Sequence, residues 1–323
     1  MADAAEEKQP GDDCVPAPPH PTRRRRPLPD QEPSAAAHEL PEAIQRILAS
    51  SSYREADEDL DFLQQPVTRG VRLQLEYLKA ETLLREHRIA HTIVVFGGTR
   101  IRERAAAERA LKQAAQELAA RPDDPLLQQN HAICQNLLAT SKYYELAREF
   151  GRLVGRCGDR ARDGRIIIMT GGGPGIMEAA NRGAHEEGAH SAGLNISLPH
   201  EQFPNPYITP ELCFRFHYFA LRKLHFVMRA RALVVFPGGF GTMDELFEIL
   251  ALSQTRKMVP VPIILVGEDY WRRAFNPEFF VEQGVVDPED RELFWYAETA
   301  QDIWRGILRW YEKKGEPLLM EQN

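Results

Sequence analysis

The run Ala232-Leu233-Val234-Val235-Phe236 passes at once into Pro237-Gly238-Gly239-Phe240-Gly241-Thr242 and then into apolar residues at helical spacing from Met243 to Leu252, which leaves this chain few folds to choose from. A short β-branched-rich run reads as a buried strand and the later spacing as a helix, so the glycines fall at a strand-to-helix junction. Bare backbone there lets a ligand come close, while the free N–H groups and the positive dipole end of the first helical turn favour an anion such as phosphate. Thr242 adds a hydroxyl donor. Glu245, about one turn further in, is a poor neighbour for a phosphate but suits a positive charge developing nearby, which points to chemistry beyond holding an anion.

The pattern recurs upstream. Gly171-Gly172-Gly173-Pro174-Gly175 follows the strand-like run from Arg165 to Met169 and opens a helix to about Glu187. Gly97-Gly98-Thr99-Arg100 ends a further strand, Thr92 to Phe96, without a full dinucleotide fingerprint, so a dinucleotide cofactor is not expected. Repeated strand, glycine turn and helix fit an open parallel sheet with its site at the carboxyl ends of the strands.

The remaining spacing predicts a helix over 103–120, a long helix from Pro125 to about Cys157, and a strand over 191–198. A loop through Pro210 follows, in which Pro199, His200, Pro204, Asn205 and Pro206 could line a ligand site. Next come a short strand over 213–218, a helix over 219–229, a strand over 260–266, a helix over 270–282, an edge strand over 293–296 and a last helix over 299–313. Ahead of this domain, expected over 91–323, residues 39–90 read as an N-terminal helical extension whose second helix, 71–86, buries Leu73, Leu75, Tyr77, Leu78 and Leu83 or Leu84. Residues 1–38, rich in proline, alanine and charge, are expected to be a disordered tail.

A net charge of -7 over 323 residues lacks the basic excess of a nucleic-acid binder. No apolar run approaches the roughly 20 residues that span a bilayer, and no apolar core of a signal peptide opens the chain, so no membrane partner and a cytoplasmic location are expected. Cys14, Cys134, Cys157 and Cys213 are widely scattered, and His185, His190 and His200 form no metalloprotease-type pair on one helical face. No metal site is expected.

Phe219-Ala220-Leu221-Arg222-Lys223, taken with Pro237-Gly238-Gly239-Phe240-Gly241-Thr242-Met243-Asp244-Glu245, resembles the signature of the LOG (Lonely Guy) family, cytokinin riboside 5′-monophosphate phosphoribohydrolases long labelled lysine decarboxylases. The resemblance extends over about residues 91–312. It implies an α/β, Rossmann-like open parallel sheet with helices on both faces, a homodimer or higher homo-oligomer, and no cofactor. The reaction it implies is hydrolysis of the N-glycosidic bond of a nucleoside 5′-monophosphate to free base and ribose 5-phosphate. Carried over by position, the catalytic pair falls on Arg222 and Glu245, and the phosphate-holding turns fall on Gly172, Gly173 and Gly175 and on Gly238, Gly239, Gly241 and Thr242. Gly98, Thr99, Glu178 and Lys223 complete the expected substrate contacts. The continuation Pro174-Gly175-Ile176-Met177-Glu178-Ala179-Ala180-Asn181 is unlike the plant enzymes but like the larger bacterial members, which also share Gly193-Leu194-Asn195-Ile196-Ser197-Leu198-Pro199, and this leaves the base open among cytokinins, purines such as AMP, and pyrimidines.

Elementary chemistry agrees. Breaking a glycosidic bond builds positive charge on the ribose, which a fixed carboxylate stabilises, or the carboxylate orients the attacking water. Arg222 can hold that carboxylate or contact the nucleotide through its planar fork. The chief alternative is a non-catalytic protein of the same fold that binds or carries a nucleotide or a phosphorylated cofactor, because fold alone does not set function. The presence of both Arg222 and Glu245 favours the enzyme. Decarboxylation with pyridoxal phosphate would need a Schiff-base lysine, and nothing marks Lys223 for that role.

Overall fold

A computed structural model describes residues 42–160, 164–197 and 203–320, and the chain divides into two units between Gln65 and Pro66. The described part of the first unit holds α1 (Glu42–Leu48) and α2 (Leu60–Leu63), the latter capped by Asp59, whose carboxylate accepts the Phe62 N–H at 3.1 Å. The expected tail lies outside the described residues, as do Pro199 and His200.

The second unit begins with α3 (Arg69–Glu86), β1 (Ile89–Phe96), α4 (Arg104–Ala120), α5 (Pro125–Thr140) and α6 (Lys142–Cys157). It continues through β2 (Arg165–Thr170), α7 (Ile176–Glu186), β3 (Ser191–Ile196), β4 (Cys213–Phe216), α8 (Phe219–Met228), β5 (Ala230–Val235) and α9 (Phe240–Gln254). It ends with β6 (Ile263–Val266), α10 (Glu268–Ala274), α11 (Pro277–Glu282), β7 (Trp295–Ala297) and α12 (Ala300–Lys313).

The described strands form one parallel sheet in the order β4-β3-β2-β1-β5-β6-β7. After β1 the chain winds outward through β2, β3 and β4, then returns to the other side of β1 with β5. The strand order therefore reverses beside β1, the position where open α/β sheets leave a crevice at their carboxyl ends. Period-two alternation along β1 feeds two cores. Ile93 and Val95 pack with Phe150 of α6, Ile176 of α7 and Ile303 and Ile307 of α12, whereas Val94 and Phe96 pack on the opposite face with Leu84 of α3, Phe226 of α8, Leu246 of α9 and Trp271 of α10. Because both faces are covered, the central strands are apolar almost throughout, as parallel strands must be.

Three sequence expectations need correction. The helix over 125–157 is two helices that break at Ser141, with α5 leaning on α4 and α6 on α7. The helix over 270–282 stops at Ala274; Pro277 opens α11, and Asn276 caps it by accepting the Glu278 N–H. On α3, Leu75 and Leu78 are exposed, while Ala80, Glu81 and Leu84 are buried. Glu81 is buried because Arg229, just past α8, grips it in a two-pronged ion pair at 2.6 and 2.7 Å, and the same guanidinium donates to the Ile89 carbonyl at 3.1 Å.

Candidate functional site

Three chain turns meet where β2, β1 and β5 end side by side. The Gly98 N–H donates to the Pro237 carbonyl at 2.8 Å, and the Ile176 N–H donates to the Gly98 carbonyl at 3.2 Å, so the turn after β1 is bonded to both neighbours. Gly238 sits so close to Thr242 and Gly98 that a methyl group there would overlap the Thr242 hydroxyl. Gly172 has φ +76°, a region L side chains rarely adopt, and lies against the Asn195 carboxamide.

The Gly172 turn is fastened from behind. The Thr170 hydroxyl donates to Asn181 Oδ1 at 2.7 Å and accepts the Gly172 N–H at 3.0 Å. Asn205 Nδ2 reaches the Gly172 and Gly173 carbonyls at 3.2 and 3.1 Å and Asn181 Oδ1 at 3.0 Å. Buried polar groups satisfied this fully hold a turn in one shape. Asn205, expected on a loop lining a ligand site, thus braces the turn.

Between the turns opens a cavity of about 320 Å³, within the size range of small-molecule sites. It is lined by Gly97, Gly98, Thr99, Gly171, Gly173, Gly239 and Gly241 of the turns, together with Phe96, Met177, Asn195, Ile196, Phe219, Arg222, Thr242, Asp244 and Glu245. Arg222 and Glu245 therefore face one space. Of the other expected contacts, Gly98, Thr99, Gly173, Gly239, Gly241 and Thr242 also border it.

Gly172, Gly175, Glu178, Lys223 and Gly238 do not line the cavity. Gly172 and Gly238 shape the turns from inside, and Gly175 caps α7 at φ +76°. Glu178 accepts the Tyr144 hydroxyl at 2.8 Å, on the side of α7 that packs on α6. The Lys223 ammonium lies 2.8 Å from Asp244 Oδ2, 3.0 Å from Glu248 Oε2 and 3.6 Å from Glu245 Oε2.

Arg222 is held in place before any ligand arrives. Its Nε donates to the Leu194 carbonyl at 2.7 Å, and its guanidinium lies over the rings of Phe219 and Phe226 at 5.7 and 5.3 Å. Burial pulls its pKa down, against the Glu245 and Asp244 charges. Glu245 is 5% exposed, and burial pushes its carboxyl up to about 7, a rise that the Lys223 and Arg222 charges restrain. A carboxyl poised near neutral pH, a fixed guanidinium and a glycine turn at a helix N-terminus can together serve proton transfer, charge stabilisation and anion binding.

Residue-by-residue reasoning did not single out Asn195, Asp244, Met177, Phe219, Ile196 and Phe96 as site residues. Phe219 stands three positions before Arg222 on α8 and so shares its face, and Asn195 is the polar interruption of an apolar strand. Both signals were present. Met177 and Phe96 read as ordinary core residues, and only the meeting of the three turns exposes them to a ligand.

The chain is similar to known proteins over part of its length. A family model described as "Possible lysine decarboxylase" matches residues 177–307. The rice protein "Probable cytokinin riboside 5'-monophosphate phosphoribohydrolase LOGL5" is 29% identical over 140 residues, 42% of this chain and 56% of its own length. The chain thus spans little more than half of that relative. The Arabidopsis thaliana protein "Cytokinin riboside 5'-monophosphate phosphoribohydrolase LOG3" is 27% identical over 168 residues, 50% of this chain and 73% of its own. Among solved structures, the Moco carrier protein from Chlamydomonas reinhardtii is similar at TM-score 0.41 and 17% identity, over 69% of this chain and 98% of its own. The matched residues 177–307 include Arg222, Glu245 and the glycine turn between them, so the similarity falls on the segment that carries the LOG-type signature.

Proposed function

We propose that the cavity hydrolyses the N-glycosidic bond of a nucleoside 5′-monophosphate, releasing the free base and ribose 5-phosphate. The observation that carries this reading is that Arg222 and Glu245 border one cavity with the glycine turns at the ends of β1, β2 and β5. The 5′-phosphate would be held by the first turn of α9, at Gly239, Gly241 and Thr242, and by Gly98 and Thr99 after β1. Ionised Glu245 would face the ribose carbon, stabilising the positive charge that grows as the base departs and orienting the attacking water. Arg222, anchored on Leu194, would fix the carboxylate and the sugar. Met177, Ile196 and Phe219 give the cavity an apolar wall suited to a base. Gripping the remote phosphate would supply orientation at the reacting carbon. No step of this scheme calls on a cofactor.

The test is incubation of the purified protein with AMP, GMP, CMP, UMP and isopentenyladenosine monophosphate, with free base read by chromatography. Wild type is expected to release base from at least one nucleotide and Glu245→Gln from none. Tight binding of nucleotides without base release would instead identify a carrier, and equal release by both proteins would remove Glu245 from the mechanism. The homodimer or higher homo-oligomer implied by the resemblance belongs to the same proposal and is read by light scattering.

A further inference from the structure

Lys223 follows Arg222 in the sequence but does not share its surroundings. Arg222 borders the cavity, whereas the Lys223 ammonium lies among three carboxylates of α9, those of Asp244, Glu245 and Glu248. An ammonium has three donors. Those directed at Asp244 and Glu248, at 2.8 and 3.0 Å, make charge-assisted hydrogen bonds. At 3.6 Å Glu245 is too far for a hydrogen bond and near enough to feel the charge. The ammonium does not line the cavity in which a substrate phosphate would sit.

We propose that Lys223 is a positioning residue for Glu245, pinned by Asp244 and Glu248 so that its charge keeps the buried Glu245 carboxylate ionised and aimed into the cavity, and that it does not bind substrate phosphate. The three acids lie on one helix at positions i, i+1 and i+4, and the lysine reaches them from α8, so the cluster also ties α8, which carries Arg222, to α9, which carries Glu245. The charges facing Glu245 are Lys223 and Arg222, which favour its ionised form, and Asp244 and Glu248, which oppose it. Without Lys223, burial and two like charges would face Arg222 alone, and Glu245 would hold its proton to higher pH.

The hydrolytic readout rests on the function proposed above, and a second readout does not. In the first, kcat and KM for the best nucleotide are measured from pH 5 to 9.5 for wild type, Lys223→Met, Lys223→Arg and Glu248→Gln. Lys223→Met is expected to move the acidic limb of the kcat profile upward by about one pH unit or more, as loss of an opposite charge at this range does, and to regain activity at high pH. Lys223→Arg keeps the limb near that of wild type. Glu248→Gln removes a like charge and moves it down, which keeps the test decisive if Lys223→Met folds poorly. A rise in KM at every pH with kcat and the limb unchanged would make Lys223 a phosphate ligand and overturn the proposal. So would a pH-independent fall in kcat, which marks a merely structural residue.

In the second readout, the Glu245 carboxyl carbon is titrated by 13C NMR without substrate, its resonance assigned by its loss in Glu245→Gln. An upward-shifted titration in Lys223→Met supports the proposal even if no nucleotide is hydrolysed. Unchanged titration in both Lys223→Met and Glu248→Gln overturns it even in an active hydrolase.

Discussion

Glu245→Gln should make the protein more stable at neutral and alkaline pH while, on the proposed function, abolishing base release. The carboxyl is 5% exposed, and burial raises its pKa from 4.5 to about 7. Below pH 4.5 it is protonated in both the folded and the unfolded chain, so the substitution gains nothing from the charge. Between pH 4.5 and about 7 only the unfolded chain gives up its proton, and the native state loses stability as pH rises. Above that window the cost is complete. At about 1.4 kcal/mol for each tenfold change in proton affinity, it amounts to about 3 kcal/mol. Glutamine fills nearly the same volume without a charge. Its advantage over glutamate should therefore be about 3 kcal/mol larger at pH 8.5 than at pH 4, a comparison in which any packing difference cancels. Urea unfolding of both proteins across this range, followed by tryptophan fluorescence, measures the difference directly, and a thermal midpoint should move by roughly 6 °C. If the difference does not change with pH, or if glutamine is the less stable at pH 8.5, the carboxyl is not held in its burial-strained state and the basis for its role fails.

Other outcomes follow from the same geometry. Glu81→Gln should destabilise by about 3 kcal/mol at pH 7, because it leaves the buried Arg229 guanidinium half paired. The Glu81 carboxyl is held below the usual carboxylate range chiefly by Arg229, so its contribution is present above the unfolded pKa and fades as pH falls through the folded one; the gap between variant and wild type should narrow in acid unfolding. Gly188→Ala, at φ +69° with open space around it, should cost about 1 kcal/mol, whereas Gly172→Ala, where the new methyl meets the Asn195 carboxamide at 2.6 Å, should cost at least about twice that; Asn195→Ala should recover only the excess. Arg222→Lys loses both the Nε hydrogen bond to the Leu194 carbonyl and the contact with two rings, and on the proposed function kcat for base release should fall about 100-fold although charge is kept.

The strands and glycine turns around the site were legible in the sequence because each repeats one local statement: an apolar β-branched run, then glycine, then helical spacing. The break at Ser141 was not, since Thr140 and Ser141 carry no glycine or proline and the bend answers to α4 and α7, which flank it. The break before α11 was legible and was missed, for Asn276-Pro277 is a helix start by cap and by ring geometry. The buried face of α3 turns on Glu81 finding Arg229, which lies 148 residues away. Within the site, Glu245 stood out by its place one turn past the glycines and Arg222 by the resemblance to the LOG signature, and both border the one cavity. Glu178 and Lys223 had the right chemistry for a ligand, and their partners, Tyr144 and the acids of α9, come from elsewhere in the fold.

The three turns at the head of the sheet hold one another by main-chain hydrogen bonds and by contacts that leave no room for a methyl at Gly238. An alteration in one is therefore transmitted to the other two, and this floor can be kept or lost but hardly adjusted. The rim is different: Met177, Ile196 and Phe219 border the cavity outside the glycine turns. On the function proposed above, drift or redesign toward another nucleobase would have those three positions to work with, and could use them while the turns that would grip the sugar phosphate stay as they are.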